Sequence, residues 1–186
     1  DEIHCDLVYR GYQHIPIASL DSEISASTVT LIAPSKTFNI AGLDCSILIC
    51  TNHELRDRIK QAKRGLMGGV NFLGIAAATA AYRDGQSWLD EVLGLLEENR
   101  DFLLDYLAHN LPGIKAARPE STYLAWLDCS DLALPDRPDR YFLEHARVGL
   151  NNGEDFGTPG KGHVRLNFGC SRQVLEEALE RMRRSV

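Results

Sequence analysis

Ala33-Pro34-Ser35-Lys36-Thr37-Phe38-Asn39-Ile40-Ala41-Gly42-Leu43 is the stretch on which the reading of this chain turns. It follows Thr28-Val29-Thr30-Leu31-Ile32-Ala33, an apolar run rich in β-branched residues and short enough for a buried strand. A lysine between a serine and a threonine, ahead of an aromatic residue and a glycine, then stands at the mouth of what reads as a parallel sheet. α/β enzymes place their chemistry there. An amine shielded from water at such a site loses proton affinity and becomes a nucleophile able to form a Schiff base. Taken alone, the stretch also fits a solvated loop lysine. The opening residues Asp1-Glu2-Ile3-His4 favour the chemical reading, because an acid, a histidine and then a lysine after the next strand form one constellation.

That constellation resembles the pyridoxal-phosphate enzymes of the aspartate aminotransferase fold, and within them the MalY/PatB-type cystathionine β-lyases, or C–S lyases. The likeness continues in order through His14-Ile15-Pro16, Glu120-Ser121-Thr122-Tyr123-Leu124-Ala125-Trp126-Leu127 and His163-Val164-Arg165-Leu166-Asn167-Phe168-Gly169-Cys170. The resemblance implies an α/β fold: the C-terminal half of a fold type I enzyme. Residues 1–90 would be part of its large, mainly parallel α/β/α domain, and residues 91–186 a connecting helix and the small α+β domain. The chain begins in mid-motif, with no strand ahead of Asp1, so a missing N-terminal half is expected, and the piece alone is expected to bind cofactor poorly.

Composition bounds the alternatives. The 186 residues are 44% hydrophobic and carry a net charge of −6. That suits a packed core and argues against a nucleic-acid partner, whose binders carry a basic patch. No apolar run approaches the roughly 18–20 residues that span a bilayer. The five cysteines are scattered without a CxxC, which reads as reduced thiols in a cytoplasmic protein. The six histidines show no metal-ligand spacing, so no metal is expected.

Periodicity supplies the elements. The end of a strand passing into a loop is expected over 1–8, a helical turn over Asp21–Ser27, and a second buried strand over Cys45–Cys50. Asn52 can cap a helix with Leu55, Ile59 and Ala62 on one face, broken at Gly65–Gly69. An Ala-rich helix covers 71–83. A long one follows over 87–110, with Trp88, Val92, Leu95, Leu96, Leu103 and Leu107 as its apolar stripe. Pro112-Gly113 ends it. Strands are expected near 113–117, 122–128 and 163–169, a helix near 138–147, and a last helix capped by Ser171 with Leu175, Ala178, Leu179 and Met182 inward. Gly157-Thr158-Pro159-Gly160-Lys161-Gly162 lacks the Ser/Thr of a phosphate loop and leads into a strand, so it reads as a flexible loop. The turn Asn151-Asn152-Gly153 carries no evident chemistry.

The resemblance assigns roles. Lys36 would hold pyridoxal 5'-phosphate and later remove the Cα proton, a task for an amine that releases its proton near working pH. Asp1 would face the pyridine nitrogen and keep it protonated. His4 would contact the phenolic oxygen, where aminotransferases carry a tyrosine, and Ser35 the phosphate. Arg165 would bind the substrate α-carboxylate through two parallel hydrogen bonds. Tyr123 and Trp126 read as packing first and pocket wall second. Two positions depart from the aminotransferase pattern: Ala33 replaces a common serine, and Asp44 a phosphate-binding arginine. Both point to the lyase branch. The implied reaction is β-elimination from an L-cysteine S-conjugate, giving thiol, pyruvate and ammonia, in a homodimer acting on a small-molecule amino acid. An aminotransferase on the same scaffold, or a non-catalytic relative that binds a partner protein, are the alternatives.

Overall fold

The computed structural model describes every residue except 64, 66 and 67. Part of the expected break at Gly65–Gly69 therefore lies outside the described residues. The chain divides into two compact units, Asp1–Leu93 and Gly94–Val186.

In the first unit the opening residues form turns rather than the expected strand end, with Leu7 and Tyr9 buried inside them. Helix α1 (Ser22–Ser27) starts where Asp21 accepts hydrogen bonds from the Glu23 and Ile24 amides, satisfying donors that a first turn leaves free. Strand β1 (Thr30–Ile32) leads into a short helix α2 (Pro34–Thr37), with Pro34 at its first turn. The alternative reading of this stretch as a loop is not what the backbone adopts. Proline fixes φ in the helical range and lacks only an N–H that a first turn does not need, so the stretch coils instead.

Strand β2 (Ile47–Ile49) pairs with β1 antiparallel, in the register Thr30↔Ile49 and Ile32↔Ile47. Among the described residues the expected parallel neighbour and double burial are thus not met. Ile47, Leu48, Ile49 and Leu31 are all exposed, and burial falls on Thr30 and on the flanking Ala33 and Cys50. An unbroken apolar run suits a strand covered on both faces, and no described strand lies beyond this pair. Helix α3 (His53–Lys63) is capped by Asn52, whose Oδ1 accepts from the Leu55 amide, and α4 (Phe72–Asp84) by Asn71. Ala62, expected inward on α3, is exposed.

Helix α5 (Gln86–Asn110) runs from the first unit into the second. Leu96, Leu103 and Leu107 are buried, Trp88 and Leu95 are not, and Asn99 and Arg100 are buried among the apolar residues. Beyond it lie β3 (Lys115–Ala116), β4 (Leu124–Asp128), α6 (Pro138–Tyr141), continued by a π-helical turn to Ala146, then β5 (Asn151–Asn152), β6 (His163–Asn167) and α7 (Arg172–Ser185). The four strands form an antiparallel sheet in the order β3-β4-β6-β5.

Strand alternation sorts this sheet's faces. Ala125, Leu127, Val164 and Leu166 point into the core, while Trp126, Asp128, His163 and Arg165 share the opposite face. Leu175, Leu179 and Met182 of α7 are fully buried, and each such side chain stabilises the fold by about 2 kcal/mol. Asn99 ties α5 to the end of β6, its amide donating to the carbonyls of Phe168 (3.1 Å) and Cys170 (2.8 Å).

Candidate active site

In the first unit the acid motif and the lysine turn are joined by two bonds. The Glu2 amide donates to the Leu31 carbonyl at 2.9 Å, fixing the opening turn to β1. The Thr37 hydroxyl donates to Asp6 Oδ2 at 2.9 Å, with Thr37 only 1% exposed. Lys36 precedes that clasp. It is exposed at the last turn of α2, and its ammonium has no ion-pair or hydrogen-bond partner among the described residues. Ser35 is half-buried, and its hydroxyl has no side-chain partner among the described residues. Asn39 and Asp44 adopt left-handed backbone, φ +55° and +48°, as the chain reverses toward β2.

Asp1 is exposed, and its Oδ1 accepts from the Ile3 amide at 3.1 Å. His4 is half-buried, its carbonyl accepting from Leu7. Glu2 reaches the His14-Ile15-Pro16 segment: its carboxylate accepts from His14 Nε2 (3.0 Å) and the Ile17 amide (3.1 Å). The His14 bond, chiefly, holds the Glu2 carboxyl below its ordinary range. Burial, aided by the neighbouring Asp6 charge, pushes the Cys5 thiol up to about 11, so this cysteine stays protonated beside the acid motif.

Arg165 belongs to the second unit, on the open face of β6. Asn151, its register partner on β5, accepts from Nε (3.4 Å) and Nη2 (3.2 Å) through Oδ1. The guanidinium lies over the Phe156 ring at 4.5 Å from the centroid, a cation–π contact. Phe156 meets Trp126 edge-on at 5.5 Å, and Trp126 stacks on His163 at 5.6 Å. Among the described residues no carboxylate pairs with Arg165. By contrast Arg100, Arg118, Arg140, Arg181 and Arg183 each meet one.

Sequence reasoning singled out Lys36, Ser35, Asp1, His4 and Arg165 but missed Asp6, Thr37, Asn151 and Phe156. Thr37 stands in the quoted motif, yet a hydroxyl next to the lysine gives no sign of which carboxylate it reaches. Asn151 was hidden by its turn-like neighbours. The loop carrying Phe156 is pinned where Gly153 and Gly160 touch backbone to backbone: a Cβ on Gly160 would lie 1.9 Å from the Gly153 carbonyl oxygen.

The first unit thus carries a lysine turn beside an acid motif, and the second an arginine with no carboxylate partner among the described residues. The chain belongs to the aminotransferase class I and II family, whose model matches residues 1–182. It is 40% identical over 190 residues to cystathionine beta-lyase PatB of Bacillus subtilis, covering 98% of this chain and 48% of that protein. It is 37% identical over 182 residues to cystathionine beta-lyase of Corynebacterium glutamicum, covering 98% and 48%. The crystal structure of cystalysin from Treponema denticola, which contains pyridoxal 5'-phosphate, superimposes with a TM-score of 0.95 at 34% identity, covering 100% and 48%. The chain thus spans about half the length of the relatives it matches. No described helix is long and apolar enough to cross a membrane.

Proposed function

We propose that this chain is part of a pyridoxal-phosphate-dependent C–S β-lyase that converts an L-cysteine S-conjugate, such as cystathionine, to thiol, pyruvate and ammonia. The residues present suit the cofactor by their donor chemistry: a carboxylate and, with no such partner among the described residues, an amine, a hydroxyl and a guanidinium without a counter-ion. Lys36 would hold the aldehyde carbon, Asp1 the ring nitrogen, His4 the phenolic oxygen and Ser35 the phosphate. Bound there, the cofactor supplies an electron sink for the charge left at Cα.

This chain's own residues then have three tasks. Arg165 grips the substrate α-carboxylate in a planar, bidentate pair and so fixes the amino acid's orientation. Lys36 takes the proton from Cα as general base. Asp1 keeps the proton on the ring nitrogen, because an opposite charge close by favours the protonated form. A thiolate leaves readily, so orienting the Cα–H and C–S bonds is the main demand on the pocket.

The observation that carries this reading is the uncompensated Arg165 within a family match that includes the lysine motif. Asp44, exposed where aminotransferases carry a phosphate-binding arginine, favours the lyase over transamination. A cytoplasmic homodimer is the proposed setting. The exposed Val70, Phe72, Leu73 and Ile75 at the start of α4 offer surface for burial against further polypeptide.

The test is incubation of the holoenzyme containing this chain with cystathionine and no oxo-acid acceptor. Pyruvate and free thiol in equal amounts are expected. Product only when an oxo-acid is added would make it an aminotransferase. Absence of a borohydride-reducible yellow species on Lys36 would leave a non-catalytic binding protein.

A further inference from the structure

We propose that Asn151 and Phe156 are positioning residues that hold Arg165 ready for an anion and set how strongly this site demands a carboxylate. The proposal rests on the reading of Arg165 as the substrate's carboxylate partner. Several other arginines of the chain, among them Arg100, Arg118, Arg140, Arg181 and Arg183, meet an acid, and a paired guanidinium has little left to offer a ligand. Here the two contacts are neutral. Asn151 Oδ1 takes the edge formed by Nε and Nη2, at 3.4 and 3.2 Å. Phe156 takes one flat face at 4.5 Å. Among the described residues Nη1 has no hydrogen-bond partner, which leaves that side for a ligand, and no carboxylate offsets the positive charge.

The holders are themselves held. Asn151 sits on β5, paired with β6 in the register Asn151↔Arg165. Phe156 packs edge-on against Trp126, which is the cross-strand partner of Arg165 on β4 and stacks in turn on His163. The turn that delivers Phe156 is closed by the Gly153–Gly160 contact, which admits no side chain at either position. The stack His163–Trp126–Phe156–Arg165 thus orders a long, entropy-rich side chain before ligand arrives. Preordering of that kind raises affinity without adding a contact to the ligand.

The test compares two ligands of the holoenzyme containing this chain. One is an α-methyl amino acid, which has no Cα proton to lose. The other is the matching amine without the carboxylate. Calorimetric titration gives the ratio of their dissociation constants. Asn151→Asp supplies an internal carboxylate to Arg165 and is expected to lower the preference for the carboxylate ligand roughly tenfold or more. Phe156→Leu removes the ring and is expected to lower it roughly threefold to tenfold, and Phe156→Trp to restore it. In each variant the amine's affinity stays within twofold.

Ratios unchanged in folded Asn151→Asp and Phe156→Leu proteins would overturn the proposal, as would equal losses for both ligands. Phe156 is half exposed, so thermal unfolding within a few degrees of wild type is expected and separates these results from misfolding. Failure of the lyase reading shows instead as missing pyruvate with the ligand ratio intact. A wild-type protein indifferent to the carboxylate removes Arg165 from its role, and Asn151 and Phe156 with it.

Discussion

Asn99 offers the sharpest check on how the second unit is held together. It is 1% exposed on α5 and donates both amide hydrogens, to the Phe168 carbonyl at 3.1 Å and the Cys170 carbonyl at 2.8 Å. Asn99→Ala removes two hydrogen bonds, each a net contribution of about 1 kcal/mol. It also strands the Phe168 carbonyl, whose residue is fully buried, for about 1–3 kcal/mol more. Cys170 is half-buried, so water can reach its carbonyl and the second loss stays small. The sum is about 3–5 kcal/mol.

The chain has two tryptophans, Trp88 and Trp126. A Trp88→Phe background therefore leaves Trp126, on β4, as the fluorescent reporter of the second unit. With a urea slope of about 2 kcal/mol per molar, the midpoint should fall by about 1.5–2.5 M. Asn99→Asp should behave differently with pH. A carboxylate facing two carbonyls is favoured only when protonated, so its folded pKa lies above the unfolded value. Below the unfolded pKa, near 4, only the loss of one of the two hydrogen bonds remains, since a protonated carboxyl has a single O–H to donate, and the penalty grows as pH rises through the folded pKa. A midpoint shift below about 0.3 M for Asn99→Ala, or an Asn99→Asp penalty that does not grow with pH, would refute the reasoning.

Thr37→Val should destabilise the first unit by about 1–2 kcal/mol, read from Trp88 fluorescence in a Trp126→Phe background, because it leaves Asp6 without its buried donor, while Thr37→Ser restores the bond. Glu2 is held below its ordinary range by His14, so its contribution is complete above the unfolded pKa of about 4.3 and is lost as pH falls through the folded value; the Ile17 amide resonance, whose proton Glu2 accepts, should move in that acid window, and Glu2→Gln should abolish the movement. Gly160→Ala should lower thermal stability by at least about 2 kcal/mol and disturb the Arg165 environment, since the added methyl would press on the Gly153 carbonyl; a variant with wild-type melting would contradict the close approach.

How much of the fold was legible depends on what each signal measures. Helix starts read well because a cap is local: Asp21, Asn52 and Ser171 each accept from an amide two or three residues on. Strands β4 and β6 read well because strict alternation leaves little choice of face. The run Ile47-Leu48-Ile49 misled, since an unbroken apolar triplet says that cover suits it and not where that cover comes from. On α5 the 3.6-residue stripe located Leu96, Leu103 and Leu107 but passed over Asn99 and Arg100. Both are buried because their polar ends find partners, a fact that lives in the tertiary fold: Asn99 meets carbonyls about seventy residues away, and Arg100 meets Glu97, Asp101 and the Pro119 carbonyl.

The site was legible to the extent that reactive groups announce themselves by type, and no further. A lysine, an aspartate and an arginine in a familiar order point to chemistry, whereas the groups that aim them are chemically unremarkable. Asn151 looked like turn filler because asparagine next to Asn-Gly favours reversal, yet its register across from Arg165 turns the same amide into the guanidinium's acceptor. Phe156 sits in a glycine-flanked loop with no periodicity to mark it, and it matters only because two glycines close that loop tightly enough to bring the ring under a cation. Replacing either holder with an acid would improve the local charge balance and spoil the site, since an arginine already satisfied cannot discriminate among ligands. The lack of a carboxylate opposite Arg165 is therefore as much a part of the binding chemistry as the guanidinium.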